Sequence, residues 1–259
     1  MKILAVDASM EACSAAVYVN GEIVERLSVA PRKHIELLKP MTEEVIEAAE
    51  IELNELHGLA FAVGPGSFAG LRIACGFIQG LGAGLELPIV PISTLAALAY
   101  PILEEHPDAL VMPMIDAKMN EVYWAIYGLD EEGDLKIIEK DQVNTLAEIS
   151  ARVEDIRESI EAKTGQYENV TLYGVGDGWL LDEEATSLLD VTLVEDRHYP
   201  RAGDIALLAK RDLDRGLGLY ADQVSPIYLR HNIAMTIEEQ KAFREEKARE
   251  KAEREESQL

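Results

Sequence analysis

The sequence predicts an α/β protein built from two lobes of one topology. Strand-like apolar runs alternate with helix-period stretches along the whole chain. One set of landmarks also returns at a nearly constant offset: Asp7 to Asp116 is 109 residues, and Gly64 to Gly174 and Gly66 to Gly176 are 110 each. At 259 residues and 48% hydrophobic, the chain has apolar material for one large core or two smaller ones.

In order, Lys2–Ala8 is a continuous β-branched run, Ser14–Asn20 alternates through Ala15, Val17 and Val19, and Glu22–Val29 follows. Asn20-Gly21 between the last two is a hairpin turn in which glycine tolerates positive φ. Leu38, Met41, Val45 and Ala49 mark a helix, with Pro40 either in its first turn or kinking it. A strand at Gly58–Val63 leads through Gly-Pro-Gly into a small-residue helix from Ser67 to Leu85. Strand Ile89–Ile92 and a helix over Thr94–Glu105 close the first half. The second half repeats the order: strands at Ala109–Ile115, Glu121–Gly128 and Asp134–Lys140, one helix over Leu146–Lys163, strand Val170–Tyr173, then the loop Gly174-Val-Gly176-Asp-Gly178. A helix over Ile205–Leu213 comes next. Beyond Thr236 the i,i+4 Glu–Arg pairs carry no apolar stripe, which reads as a frayed, solvated helix. The expected division is 1–106 and 107–198 for the lobes, 199–235 returning to the first lobe, and 236–259 as the charged tail.

Charge bounds the partners. The 48 acidic residues outnumber the 24 basic ones to give a net charge of −24. The segment from Thr236 has eight acidic and six basic residues, so it holds only −2 of that, and −22 lies on the body. Nucleic-acid affinity comes largely from cations that displace counterions, so direct nucleic-acid binding by the isolated chain is not expected. Cys13 and Cys75 are too few for a disulfide framework and read as buried thiols of a reducing compartment. MKILAVDAS reaches an aspartate too early for a signal peptide, and Ile73–Leu85 is too short and glycine-rich to cross a bilayer, so a cytoplasmic location and no membrane contact are expected.

Three initial strands, an aspartate ending the first and glycine turns after later strands, all duplicated, resemble the actin-like/Hsp70-like (ASKHA) superfamily of mixed sheets flanked by helices. That superfamily holds a nucleotide's phosphates between its lobes. Gly64-Pro-Gly66-Ser67 before a helix suits such a role, because helix-start amides form an anion site; it equally suits a tight turn with no ligand. The string is neither a Walker A loop nor a Rossmann glycine fingerprint.

Gly64-Pro-Gly-Ser-Phe-Ala-Gly-Leu-Arg-Ile73 resembles more specifically the signature of the bacterial TsaB (YeaZ) family. Agreeing segments in order are Lys2–Asp7, Glu11–Ser14, Pro31–His34, Asp116–Trp124, Gly176–Trp179 and Pro226–Arg230, and the resemblance runs to about Ala234. It implies a non-catalytic scaffold and activator in making threonylcarbamoyladenosine (t6A) on tRNA. Such a chain pairs with the transferase TsaD, works with the ATPase TsaE, and forms a homodimer when alone. The alternative is an ATP-dependent small-molecule phosphotransferase of the same fold.

The residues can be read beside that resemblance. No metal site is expected: TsaD-like relatives use two histidines four residues apart on a helix, whereas His34 is followed by Leu38. No catalytic residue is expected either. Ser67 lies outside a Gly-x-Ser-x-Gly elbow, and protease chemistry is rejected. Asp7, Ser9, Gly64, Gly66, Ser67, Asp116, Lys118, Gly174 and Gly176 read as vestigial phosphate loops. Asp7-Ala8-Ser9 and Asp116-Ala117-Lys118 lack the glycines that let backbone approach a phosphate, and Ala8 and Ala69 stand where the family usually has Thr. No intrinsic cofactor follows; ATP or ADP would enter at an interface of the complex or through partners. Lys118 would cancel charge in the cleft.

For the partner surface, Gly76, Gly80 and Gly84 recur every four residues on one helix, at a cost of about 1 kcal/mol each relative to Ala. They serve packing either against the chain's own sheet or against a helix of another subunit. The resemblance favours the second, because the family pairs through first-lobe helices. His34, Leu37, Leu38, Met41 and Val45 are then expected to supply an adhesive face, with Phe68, Ile73, Phe77 and Leu81 opposite. Arg72 neutralises local carboxylates, contacts a ligand or partner, or is simply an exposed, solvated side chain, since most surface ion pairs are worth little. Replacing Gly80 or Leu38 by Glu is expected to abolish pairing and leave the monomer folded.

Overall fold

The structure, a computed structural model, describes residues 1–164, 170–181 and 191–230. Met1–Leu229 forms one compact unit; Arg230–Leu259 forms another, of which only Arg230 is described, so the expected helical tail lies outside the described residues.

The first sheet comprises β1 (Lys2–Asp7), β2 (Ala12–Val19), β3 (Glu22–Val29), β4 (Gly58–Gly64) and β5 (Ile89–Ser93), in the order β3-β2-β1-β4-β5. The second comprises β6 (Leu110–Lys118), β7 (Glu121–Leu129), β8 (Leu135–Thr145), β9 (Leu172–Val175) and β10 (Thr192–Leu193), in the order β8-β7-β6-β9-β10. In each, the first three strands pair antiparallel and the last two join in parallel. One order of pairing made twice establishes the duplicated actin-like lobes.

Helices fill three layers. The α1 (His34–Ala48) and α2 (Phe68–Leu85) helices cover the outer face of the first sheet, where Leu4, Val6, Leu59 and Phe61 meet Leu38, Met41, Val45, Ala74 and Ile78. Between the sheets lie α3 (Thr94–Glu105) and α6 (Ala202–Asp214), so Ile3 and Ala5 from one sheet share a core with Leu98, Ile205, Val111 and Ala125. On the far face, α4 (Leu146–Ala151) and α5 (Val153–Thr164) bury Ile149, Ile156 and Ile160 against Trp124 and Trp179. Fully burying each such aliphatic side chain contributes about 1.5–3 kcal/mol.

Local sequence explains most boundaries. Asn20 and Gly21 take φ +50° and +110° in the β2–β3 turn. Ser67 and Ser93 cap α2 and α3, each hydroxyl accepting the amide three residues on at 3.3 Å. Pro40 sits inside α1. The single helix expected over Leu146–Lys163 is instead two, broken at Arg152, whose amide bonds back to the Ile149 carbonyl at 3.0 Å. The Asp134–Lys140 strand runs on to Thr145, and β10 was not expected at all.

The α6 helix ties the lobes. At its start, the Ala202 and Gly203 amides donate to Ser14 Oγ and Glu25 Oε1 at 3.0 and 2.8 Å, both on the first sheet. At its end, Arg211 and Arg215 both pair with Asp134 in the β7–β8 turn.

Candidate functional site

The turn after β1 and the glycine loop after β4 meet at one end of the first sheet, where the superfamily's phosphate site would lie. Here the turn fills the loop. The Ser67 amide donates to the Ser9 carbonyl at 2.7 Å, and the Gly70 amide donates to Ser67 Oγ. A methyl group at Gly66 would collide with the Ser9 carbonyl, and one at Gly70 with the Ala8 carbonyl. The glycines therefore admit the chain's own backbone. Asp7 is fully buried; it accepts the Ser9 amide on Oδ1 at 3.1 Å, while its Oδ2 and the Ser9 hydroxyl lack partners among the described residues. Burial pushes its carboxyl up to about 7, outweighing the lowering by the Ser9 bonds.

The second lobe repeats the theme with different contacts. The Gly176 amide donates to the Arg197 carbonyl at 3.1 Å, and methyl groups at Gly176 or Gly178 would strike the Met114 backbone. Gly174 is pressed by Val191, Leu193 and Trp179. Asp116 is held inside its own turn: its Oδ1 accepts the Lys118 amide at 2.7 Å and its Oδ2 pairs with Lys118 Nζ at 2.5 Å. The Asp116 amide donates to Asp177 Oδ1 at 3.0 Å. Hydrogen bonding to Asp116, with the fields of Asp116, Asp177 and Glu11, raises the Lys118 ammonium. The fields of three carboxylates thus act on one lysine. With the Ser67 and Gly70 amides engaged on one side and this acidic group on the other, the residues do not fit a phosphate chain.

Among the described residues no three metal-ligating side chains gather. His34 is buried, with Nε2 donating to the Met10 carbonyl at 2.8 Å, so it anchors the start of α1. Ser67 Oγ serves as the α2 cap.

The helix layer needs a correction. Leu38, Met41 and Val45 are 2%, 7% and 0% exposed and belong to the first lobe's own core, and Leu37 is half-buried, so these residues with His34 are not an adhesive face. The outward face of α1 instead shows Ile35, Lys39, Glu43 and Glu47. Ile73, Phe77 and Leu81 are half-buried at the flank of the same core. The expectation that Leu38→Glu would leave the monomer folded falls with them, because the charge would enter a dry core.

On α2 the packing of Gly76, Gly80 and Gly84 against the sheet is also ruled out. Among the described residues no atom lies within 4 Å of where their Cβ atoms would stand, and all three are exposed. The inward glycine is Gly82, which faces Ile89. By length and composition α2 could cross a membrane, over a longer span than the Ile73–Leu85 run, yet Leu71, Ala74, Cys75 and Ile78 are buried against the first sheet.

A segment from Leu219 to Leu229 runs back along α2. Leu219 bridges to Ile89, the Ala221 and Val224 carbonyls accept from Gln79 Nε2 at 3.1 and 2.9 Å, and the Ile227 amide donates to the Val63 carbonyl at 2.9 Å. At the helix start, Tyr228 lies against Phe68 with ring centroids 5.1 Å apart, and its hydroxyl accepts Arg72 Nε at 3.0 Å. The Arg72 guanidinium carbon sits 3.9 Å from the Phe68 centroid. Among the described residues Arg72 makes no ion pair with a carboxylate. Sequence reasoning missed Ile35, Gln79 and Tyr228 as parts of this surface. The Pro226–Arg230 string pointed to Tyr228, but nothing local shows which helix it reaches.

Comparison with known proteins now bears on this arrangement. The model of the family TsaD, tRNA N6-adenosine threonylcarbamoyltransferase, matches residues 27–238. The tRNA threonylcarbamoyladenosine biosynthesis protein TsaB of Escherichia coli is 33% identical over 239 residues, covering 90% of this chain and 96% of that one. TsaB of Haemophilus influenzae is 31% identical, covering 90% and 95%. A Pseudomonas aeruginosa crystal structure, of an uncharacterized protein with similarity to peptidase YeaZ, superposes with a TM-score of 0.75 at 32% identity, covering 88% of this chain and 99% of that one. A second, named YeaZ and from the same organism, gives 0.71 at 31%. With the duplicated lobes and the matching loop strings, these likenesses place the chain in the TsaB (YeaZ) family of tRNA threonylcarbamoyladenosine biosynthesis proteins.

Proposed function

We propose that this chain is a non-catalytic scaffold and activator in t6A formation, next to the anticodon of tRNAs that read codons starting with A, and that it docks TsaD through the outer face of α2 and the adjoining α1. The observation that carries this reading is the open glycine row. Three glycines cost a helix about 3 kcal/mol relative to alanines, and nothing among the described residues packs against them to offset that cost. Side-chain size at a contact sets the distance between helix axes, so a bare face suits close approach by a second helix. The same face would carry the homodimer of the isolated chain. TsaE joins the assembled pair.

The other features agree with a supporting role. The chain brings no cofactor of its own, and ATP or ADP enters through partners or at the joint interface. With a net charge of −24 it works beside tRNA without holding it, the partners supplying the basic surface, in the cytoplasm.

The test is reconstitution: TsaD, TsaE and tRNA from the same organism, assayed for t6A with and without this chain. Product should require the chain, and the isolated chain should neither hydrolyse ATP nor retain tRNA at physiological salt. Equal t6A yield without the chain would refute the proposal.

A further inference from the structure

The α2 helix carries one charged residue, Arg72, in a protein where acidic residues outnumber basic ones two to one. Arg26, Arg157, Arg197, Arg201, Arg211 and Arg215 each pair with a carboxylate of this chain. Arg72 is held differently. Its Nε is fixed by the Tyr228 hydroxyl and its plane lies over Phe68, leaving the two terminal nitrogens without hydrogen-bond partners among the described residues. Guanidinium presents those nitrogens as a rigid fork that matches a carboxylate. Anchoring it on two aromatic rings removes much of the side-chain entropy that pairing would otherwise cost. Phe68 itself is 39% exposed, so the platform lies on the surface at the head of the uncharged α2 face.

We propose that Arg72 is a prebuilt carboxylate receptor: an Asp or Glu on a helix of the heterologous partner pairs with its terminal nitrogens and sets the register of docking on α2. This rests on the docking reading above and adds to it the chemistry of the partner's contact residue. Charge complementarity identifies the occupant. An uncharged face with one fixed cation selects a partner surface with one carboxylate. A second copy would offer only the carboxylates of its α1, since its α2 has none, and pairing two copies would bring together two bodies that are each strongly acidic.

The experiment measures the affinity of the full chain for TsaD of the same organism, with Arg72→Gln, Arg72→Glu, Tyr228→Phe and Gly80→Glu variants, at low and high salt. Circular dichroism of each variant alone checks folding. Arg72→Gln should weaken pairing by about 30-fold or more and flatten its salt dependence. Arg72→Glu should weaken it at least about tenfold further, because two carboxylates then face each other, and Tyr228→Phe should cost only a few-fold. Equal losses for Arg72→Gln and Arg72→Glu would mean that no carboxylate faces the site, and would overturn the proposal. Loss of self-association with TsaD pairing intact would assign the site to a second copy, and would overturn it as well. If Gly80→Glu abolishes pairing while Arg72→Gln does not change it, the receptor falls and the docking surface stands; if neither variant has an effect, both fall.

Discussion

Two sets of glycines lie within twenty residues of each other and are used in opposite ways. Gly66 and Gly70 admit the carbonyls of Ser9 and Ala8, so their missing side chains are filled by the chain's own backbone. Gly76, Gly80 and Gly84 face open space. The first set is filled by the chain's own turn after β1; the second leaves a helix bare. A glycine's role here is settled by what stands where its Cβ would be, and similar spacing along the chain conceals the difference.

The largest effect expected from breaking this contrast comes from moving one glutamate between the two faces of the helix layer. Leu38→Glu places a charge in the first lobe's core and should abolish folding, given a total stability of about 5–15 kcal/mol. Gly80→Glu should leave the melting temperature of the monomer, measured at concentrations too low for pairing, unchanged or higher. Thermal melts of the two variants decide this, and a folded Leu38→Glu protein would refute the core assignment.

A methyl group gives the next contrast. Gly70→Ala must displace the Ala8 carbonyl and should destabilise by about 4 kcal/mol or more, read by denaturant titration. A loss under about 1 kcal/mol would mean that the turn does not fill the loop.

The filled cleft also has a pH signature. With a carboxyl raised from 3.8 to about 7, Asp7 stays protonated in the folded chain while the unfolded chain ionises. Its burial therefore costs nothing below about pH 4, an increasing amount from pH 4 to 7, and a constant amount above, on the order of 4 kcal/mol. Asp7→Asn should remove that slope, so the variant gains stability relative to the parent across this window. Parallel melting curves from pH 4 to 8 would contradict a buried carboxyl with only one oxygen hydrogen-bonded among the described residues.

The smallest effect has the opposite sign to that at Gly70. Ala at Gly76, Gly80 or Gly84 should stabilise the monomer, measured at concentrations too low for pairing, by up to about 1 kcal/mol each, through better helix propensity alone.

Much of the fold was legible in the sequence. Glu22–Val29 and Thr94–Glu105 match their elements residue for residue, because period and caps are local properties. The 110-residue offset between the glycine loops gave the duplication itself. The Arg152 break was hidden because helical period continues across it, and β10 is only two residues long. The site was less legible. The glycine row was visible, but its direction depends on how α2 sits on the sheet, which tertiary packing decides. An apolar residue on an amphipathic helix is core or interface according to the same packing, so Leu38, read as interface, is core, and Ile35, which the sequence did not single out, faces outward. Tyr228 reaches Arg72 across 156 residues of sequence, a pairing that no local pattern carries.

The central claim is that the bare face of α2 is where this chain works. Its most direct test is the affinity of the Gly80→Glu chain for TsaD, measured by sedimentation alongside its melting temperature. Pairing weakened at least about 100-fold with folding intact is the result expected from placing a side chain and a charge on a close helix contact. Unchanged affinity in a folded variant would contradict it.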